Sequence, residues 1–193
     1  MKPFSRDEHA VIAEAISRAE RRTSGEIVIV YAEASSGYYF FALLCAALLA
    51  LGVPLPFIHL TKWPIEYVYI TQLAVFAAGV LLVQLPAVRV ALAPGPLKRR
   101  RAHLRALQQF LAQNLHTTKG RTGVLVYVSD AERYAEVIAD SGIYEKVPQD
   151  VWDDLVGNLT AEIGRGNRVQ GLIAAAEQCG DILAEHFPPG PLG

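Results

Sequence analysis

The chain has 193 residues, is 52% hydrophobic and 19% charged, and carries a formal net charge of -1 at pH 7. That balance excludes general disorder, which needs low hydrophobicity and high net charge, and leaves no whole-chain case for nucleic acid. The two cysteines, Cys45 in an apolar run and Cys179 on an expected helix, make no disulfide framework and lack metal-ligand spacing.

The first stretch, "MKPFSRDEHAVIAEA", has charges at Arg6, Asp7 and Glu8 where a signal peptide keeps its apolar region, so none is expected there. Ser5 followed by Glu8 is a capping box. Ile12, Ile16 and Ala19 then recur on one helical face, and Gly25 is expected to stop that helix in a left-handed turn. "EIVIVYA" follows, β-branched and apolar on both faces, as suits a central strand covered on each side.

No Asp, Glu, Lys or Arg occurs from Gly37 to Leu60 or from Tyr67 to Val88. Both runs exceed the roughly 18 residues that mark a spanning helix. Inside hydrocarbon the backbone must pair within its own segment, which requires helices. The spans are expected near residues 38–55 and 67–88. Pro54 and Pro56 should end the first, and Pro86 and Pro94 mark the exit of the second. Tyr38, Tyr39, Trp63, Tyr67 and Tyr69 sit where interfacial aromatics belong.

Basic residues set the orientation. Arg18, Arg21 and Arg22 precede the first run, whereas Arg89, Lys98, Arg99, Arg100, Arg101 and Arg105 follow the second. The connecting loop has only Lys62, answered by Glu66. The positive-inside rule therefore places the loop outside and both termini in the cytoplasm, with the chain integral to an inner or plasma membrane. Lys98, Arg99, Arg100 and Arg101 are read as meeting anionic lipid headgroups in preference to nucleic acid.

Past this cluster, Leu104, Leu107, Leu111 and Leu115 recur at helical spacing, and Gly120 closes the helix. "GVLVYVS" is a second doubly apolar strand. "DAE" turns the chain into a third, "RYAEVIAD", which makes a hairpin. Two further helices follow, "PQDVWDDLVGNLTAEIGRG" and "NRVQGLIAAAEQCGDILAEHF", before a frayed "PPGPLG". An even number of crossings returns the chain to the side it left. Residues 1–36 and 97–193 can then form one cytoplasmic α/β domain, with the first two strands parallel and residues 37–96 inserted as a helical hairpin.

"AERRTSGEIVIVYAEAS", "TKGRTGVLVYVSDAERYAEVIADSGI" and the two C-terminal helices together resemble the TPM domain family. The likeness is closest to a bacterial membrane-protein branch in which a hydrophobic hairpin splits the domain. The resemblance covers nearly all of residues 1–36 and 97–193. It implies an α/β/α sandwich and a link to membrane-complex maintenance. Some members of that family are described as acid phosphatases, and some bind calcium or another divalent ion. The family's glycine-rich turn after the third strand appears here as "ADSGI", retaining only Gly142.

The residues themselves name no nucleophile. There is no Cys-x5-Arg loop, no Walker-type phosphate loop and no paired-Asp motif. A hydrolase would have to be metal-assisted, with carboxylates as oxygen ligands. The candidates are Glu26 and Glu33 on or beside the first strand, Asp130 at the turn, Glu136, and Asp140 at the end of the third strand. Asp130 lies just past the C-terminal end of an apolar strand, where α/β sheets place ligands. Asp130, Asp140 and Glu26 are the candidate ligands of a divalent cation such as calcium; no catalytic residue follows. His9, His59, His103, His116 and His186 show no ligand spacing. Lys119 and Arg121 form either an anion contact or a solvated loop. Two functions follow: a membrane-held interaction or assembly factor with membrane-protein partners, and, as the alternative, a metal-dependent phosphatase.

Overall fold

A computed structural model describes residues 4–60, 63–118 and 120–189. His59, Lys62, Lys119 and the end of the C-terminal tail, on which expectations also fell, lie outside the described side chains. The chain divides into two compact units, residues 1–35 with 101–193, and residues 36–100.

The first unit opens with α1 (Arg6–Glu20). Its capping box is formed: Ser5 Oγ accepts from the Glu8 amide at 3.2 Å, and the Glu8 carboxylate accepts from the Ser5 amide at 2.7 Å. The Ser5 backbone bond, with the Ser5 hydroxyl second, holds the Glu8 carboxyl below its usual range. Gly25 does not take a left-handed turn, because the only described glycine at positive φ is Gly166. It is needed for closeness instead: a Cβ there would lie 2.9 Å from Leu183 Cδ1 and 3.1 Å from the Thr122 carbonyl oxygen.

The sheet has three strands, β1 (Glu26–Ala32), β2 (Gly123–Ser129) and β3 (Tyr134–Ala139), in the order β1-β2-β3. β1 and β2 are parallel, from Glu26 opposite Gly123 to Ala32 opposite Ser129. β2 and β3 are antiparallel, with Val124 opposite Ala139. The parallel pairing and the hairpin agree with the sequence pattern. The expectation that β1 is central is corrected: β1 is an edge strand, and β2, buried along its whole length, is the central one. Two apolar faces report coverage above and below a strand, and say nothing about its in-plane neighbours.

Strand periodicity sorts the side chains into two layers. Ile27, Val124, Val126, Val128 and Ala139 pack with Ile12 and Ala19 of α1. The same layer includes Trp152, Leu155 and Leu159 of α8 (Gln149–Gly164) and Leu172, Cys179 and Leu183 of α9 (Arg168–His186). Burial there pushes the Cys179 thiol up to about 12. On the other face Leu125 and Tyr127 receive Leu115 together with Ala106 and Phe110 of α6 (Gly95–Ala112). This is an α/β fold with helices on both faces of a small sheet.

The leucine row of α6 is not the row it buries. The row against the sheet is Ala102, Ala106 and Phe110, while Leu104, Leu107 and Leu111 point outward. Leu115, beyond the helix, is buried. Small alanines let a helix lie close to the sheet, so the bulkier row is left outside. Asn114 at φ +55, rather than Gly120, makes the left-handed exit.

The second unit contains α2 (Tyr39–Gly52), α3 (Pro54–Leu60), α4 (Ile65–Val83) and α5 (Pro86–Leu92). α2 ends at Gly52, just before Pro54 as expected; Pro54 then opens α3, since a first-turn position needs no amide hydrogen, and Pro56 lies within α3. The second run breaks earlier than expected, at Val83, and Pro86 starts α5. α2 and α4 meet through Ala42, Ala46 and Val83. A Cβ on Gly79 would sit 2.9 Å from the Ala46 Cβ, so its bare backbone permits that approach. Buried Arg89 stacks on the Tyr39 ring, 3.7 Å from its centroid. Most large apolar side chains of this unit face outward, Phe40 with 82% and Ile65 with 79% of their surface exposed.

Candidate functional site

The parallel pair of strands has a defined carboxyl end, and a crevice outside such an end is where open α/β sheets hold ligands. Here it is built by the β2–β3 turn. The Arg133 amide donates to the Asp130 carbonyl at 3.0 Å, and Arg133 itself stands at φ +50. Ladder-like bonds continue beyond the strands, with the Asp130 amide donating to Ala32 O and the Ala131 amide to Glu33 O, both at 3.0 Å. The chain leaving β1 is thereby fixed to the turn.

A polar network lies inside this end of the sheet. The Ser35 amide donates to both carboxylate oxygens of Glu132, at 3.0 and 3.1 Å. The Ser35 hydroxyl donates to Ser129 Oγ at 2.8 Å, and Ser129 Oγ donates to Glu132. A hydroxyl has a single proton, so the 2.9 Å contact between Ser35 Oγ and Tyr127 OH runs from tyrosine to serine. Tyr127 and Ser129 are fully buried and Glu132 is buried. Several charge-assisted bonds, about 1.5–3 kcal/mol each, offset the cost of keeping that carboxylate from water.

Beside the network a cleft of about 530 Å³ is lined by Ser129, Asp130, Arg133 and Tyr134 from the hairpin and by Thr160 and Ile163 from α8. Asp130 and Arg133 give it one charge of each sign. Tyr31, the next-to-last residue of β1, directs its buried hydroxyl towards Asp130 and Arg168 without closing a hydrogen bond to either. Burial pushes that phenol up, and the Asp130 carboxylate adds to the rise while Arg168 opposes it. The Arg168 guanidinium stands 5.9 Å from the Tyr31 ring and 5.0 Å from that of Phe4, which meets Tyr31 edge-on at 4.9 Å. The end of the sheet thus offers an acid, two arginines and aromatic surface.

The three expected metal ligands do not come together. Asp130 lies at the cleft, whereas Glu26 begins β1 and Asp140 follows β3, both at the opposite end of the sheet. Six strand steps separate the two ends, about 20 Å. Asp140 caps the short helix α7 (Ser141–Tyr144), accepting from the Ser141 amide at 2.6 Å. Among the described residues no group of three His, Cys, Asp or Glu is placed to hold a metal. Glu26, Asp130 and Asp140 therefore do not make one donor set for a divalent cation. Glu136 lies on the α6 face, bonded to His103 Nδ1 at 2.8 Å and Tyr134 OH at 2.9 Å. Arg121 donates to Ser141 Oγ at 3.2 Å. Lys98, Arg99, Arg100 and Arg101 occupy the first turns of α6.

Sequence reasoning missed Ser35, Tyr127, Ser129 and Glu132. The signal was present: period-two parity in "GVLVYVS" puts Tyr127 and Ser129 on one face, with Glu132 three residues further on.

The comparisons agree with this architecture. A family model, the TPM domain, matches residues 88–182. The match leaves out residues 1–36, over which the resemblance was also read, although β1 joins the same sheet. The NMR structure of the BA42 protein from the psychrophilic bacterium Bizionia argentinensis superposes with a TM-score of 0.59 at 22% identity. The alignment covers 97% of this chain and 86% of that one, and it shows a shared fold. No curated protein matches the chain. Residues 88–182, the segment that carries α6, β2, β3, α8 and most of α9, are a TPM domain.

Proposed function

We propose that this is a membrane-anchored TPM-domain protein whose folded domain, in the cytoplasm, binds or helps to assemble other membrane components. The observation that carries the anchor is the outward display of apolar surface. Residues 39–57, which span α2 and the start of α3, and residues 65–83 of α4 have mean hydropathy of 2.3 and 1.7, and only 17% and 6% of those windows are buried. A soluble core helix of that composition would be covered; these are covered by lipid. Lys98, Arg99, Arg100 and Arg101 then meet anionic headgroups, and both termini lie on the cytoplasmic side. The cleft at Asp130 and Arg133 is where a partner segment is held.

In the test, the full chain is expressed with a tag at each end, its membranes are washed with alkaline carbonate, and neighbours are crosslinked in place. The chain should stay in the pellet, with both tags shielded in sealed right-side-out vesicles and the same membrane proteins recovered repeatedly. Release by carbonate, or tags on opposite faces, overturns the anchor; recovery of no neighbours overturns the role.

The position of Asp130 and Arg133 at the carboxyl end of a parallel pair favours one alternative, a phosphatase-like hydrolase. Phosphomonoester turnover by the purified chain, lost in Asp130→Ala, would establish it, and no turnover would remove it.

A further inference from the structure

α6 has two apolar sides, and among the described residues only one is packed. Ala102, Ala106 and Phe110 face the sheet. Leu104, Leu107 and Leu111, one and two turns apart, leave 43%, 37% and 56% of their surface exposed. On a helical projection this second row is centred more than a quarter turn from the first. Between the rows stand Arg101 and Arg105, both exposed. From Gly95 to Ala112 the helix holds five basic residues, Lys98 to Arg101 and Arg105, and no acidic one. Where α6 covers the sheet it is a single helix over three strands, and Val28, Val30 and Ile138 on that face are only half-buried. Neither the protein's core nor water suits an exposed leucine row on so basic a helix.

The combination is that of a helix lying in a membrane interface: leucines sink among the acyl chains near the headgroups while flanking arginines reach the phosphates. We infer that the Leu104–Leu107–Leu111 row of α6 inserts into the surface of an anionic bilayer. The inserted row gives the domain a second lipid contact besides the hairpin and presses this face of the sheet towards the membrane. The inference rests on the anchored reading and adds to it a committed occupant for this face, chosen by charge: five cations without a counter-charge on the helix fit an anionic lipid surface better than a neutral apolar partner.

The test uses the full chain in nanodiscs of mixed phosphatidylcholine and phosphatidylglycerol. A tryptophan is placed at position 107 (L107W) or, as a control off the row, at 112 (A112W), and the unsubstituted chain gives the background of Trp63 and Trp152. The emission added by L107W should be quenched several-fold more by lipids brominated on their acyl chains than that added by A112W. Aqueous iodide should reach position 107 less than position 112. Removing phosphatidylglycerol should weaken the difference. Equal quenching at the two positions, or free access of iodide to 107, overturns the inference. Protection of 107 from both quenchers also overturns it, since a protein partner or a second copy would then cover the row. Failure of the anchor reads differently: the unsubstituted chain would not enter the nanodiscs at all.

Discussion

Leucine plays opposite parts in the two units. Leu125, Leu155, Leu159, Leu172 and Leu183 of the first are at most 2% exposed, whereas Leu48, Leu49, Leu51 and Leu55 of the second point away from the chain. A leucine left in water forgoes about 1.5–3 kcal/mol relative to a buried one, so each outward leucine of the second unit gains by any cover that removes it from water. Apolar content alone therefore does not locate a core. What separates the units is whether another part of the same chain covers the side chains.

The largest expected effect breaks or upholds that contrast directly. Leu155→Ala should cost about 2–5 kcal/mol in denaturant titrations of the reconstituted chain, because it leaves a cavity in the first unit. Leu49→Ala, on an outward face that the proposed anchor gives to lipid, should change stability by about 0.5 kcal/mol or less. Equal losses at both positions would mean that the hairpin has a protein cover. A smaller effect sharpens the polar side of the comparison. Ser129→Ala withdraws a donor from the buried Glu132 carboxylate and should cost about 1–3 kcal/mol in the same titration. A loss as small as that at Leu49 would show the network to be solvated. The smallest effect is a pH dependence. The Tyr31 phenol is raised in the folded chain by burial, so the unfolded chain ionises first as the pH passes about 10. Stability from this group is complete below that value and declines as the pH climbs towards the folded pKa. Tyr31→Phe should flatten the decline, and an unchanged alkaline profile would place the phenol in water.

Local signals were legible in the sequence and lateral ones were not. The Ser5–Glu8 box, the three strands and the hairpin turn depend on neighbours a few residues away, and all formed where the pattern put them. Whether β1 sits at the edge or centre depends on a strand 97 residues on, and its own residues are apolar on both faces in either case. Helical spacing of the α6 leucines gave the helix but not its buried face, because packing against the sheet selects Ala102, Ala106 and Phe110. Glu26, Asp130 and Asp140 are chemically alike in one dimension, yet strand direction sends Asp130 to one end and the other two to the opposite one. Ser129 and Glu132 were passed over because a serine closing an apolar run reads as a strand end. Its hydrogen-bond partner Ser35 is contributed by a distant segment.

The separation of the parallel pair has a consequence in time. At ribosomal rates of about 5–20 residues per second, roughly 5 to 20 s pass between the synthesis of Val28 and that of Leu125, its partner in the register. Throughout that wait the first strand has an open edge and greasy side chains on both flanks, a ready template for the same strand of a neighbouring nascent chain. The protein's yield in a cell should accordingly depend on how crowded its own polysomes are.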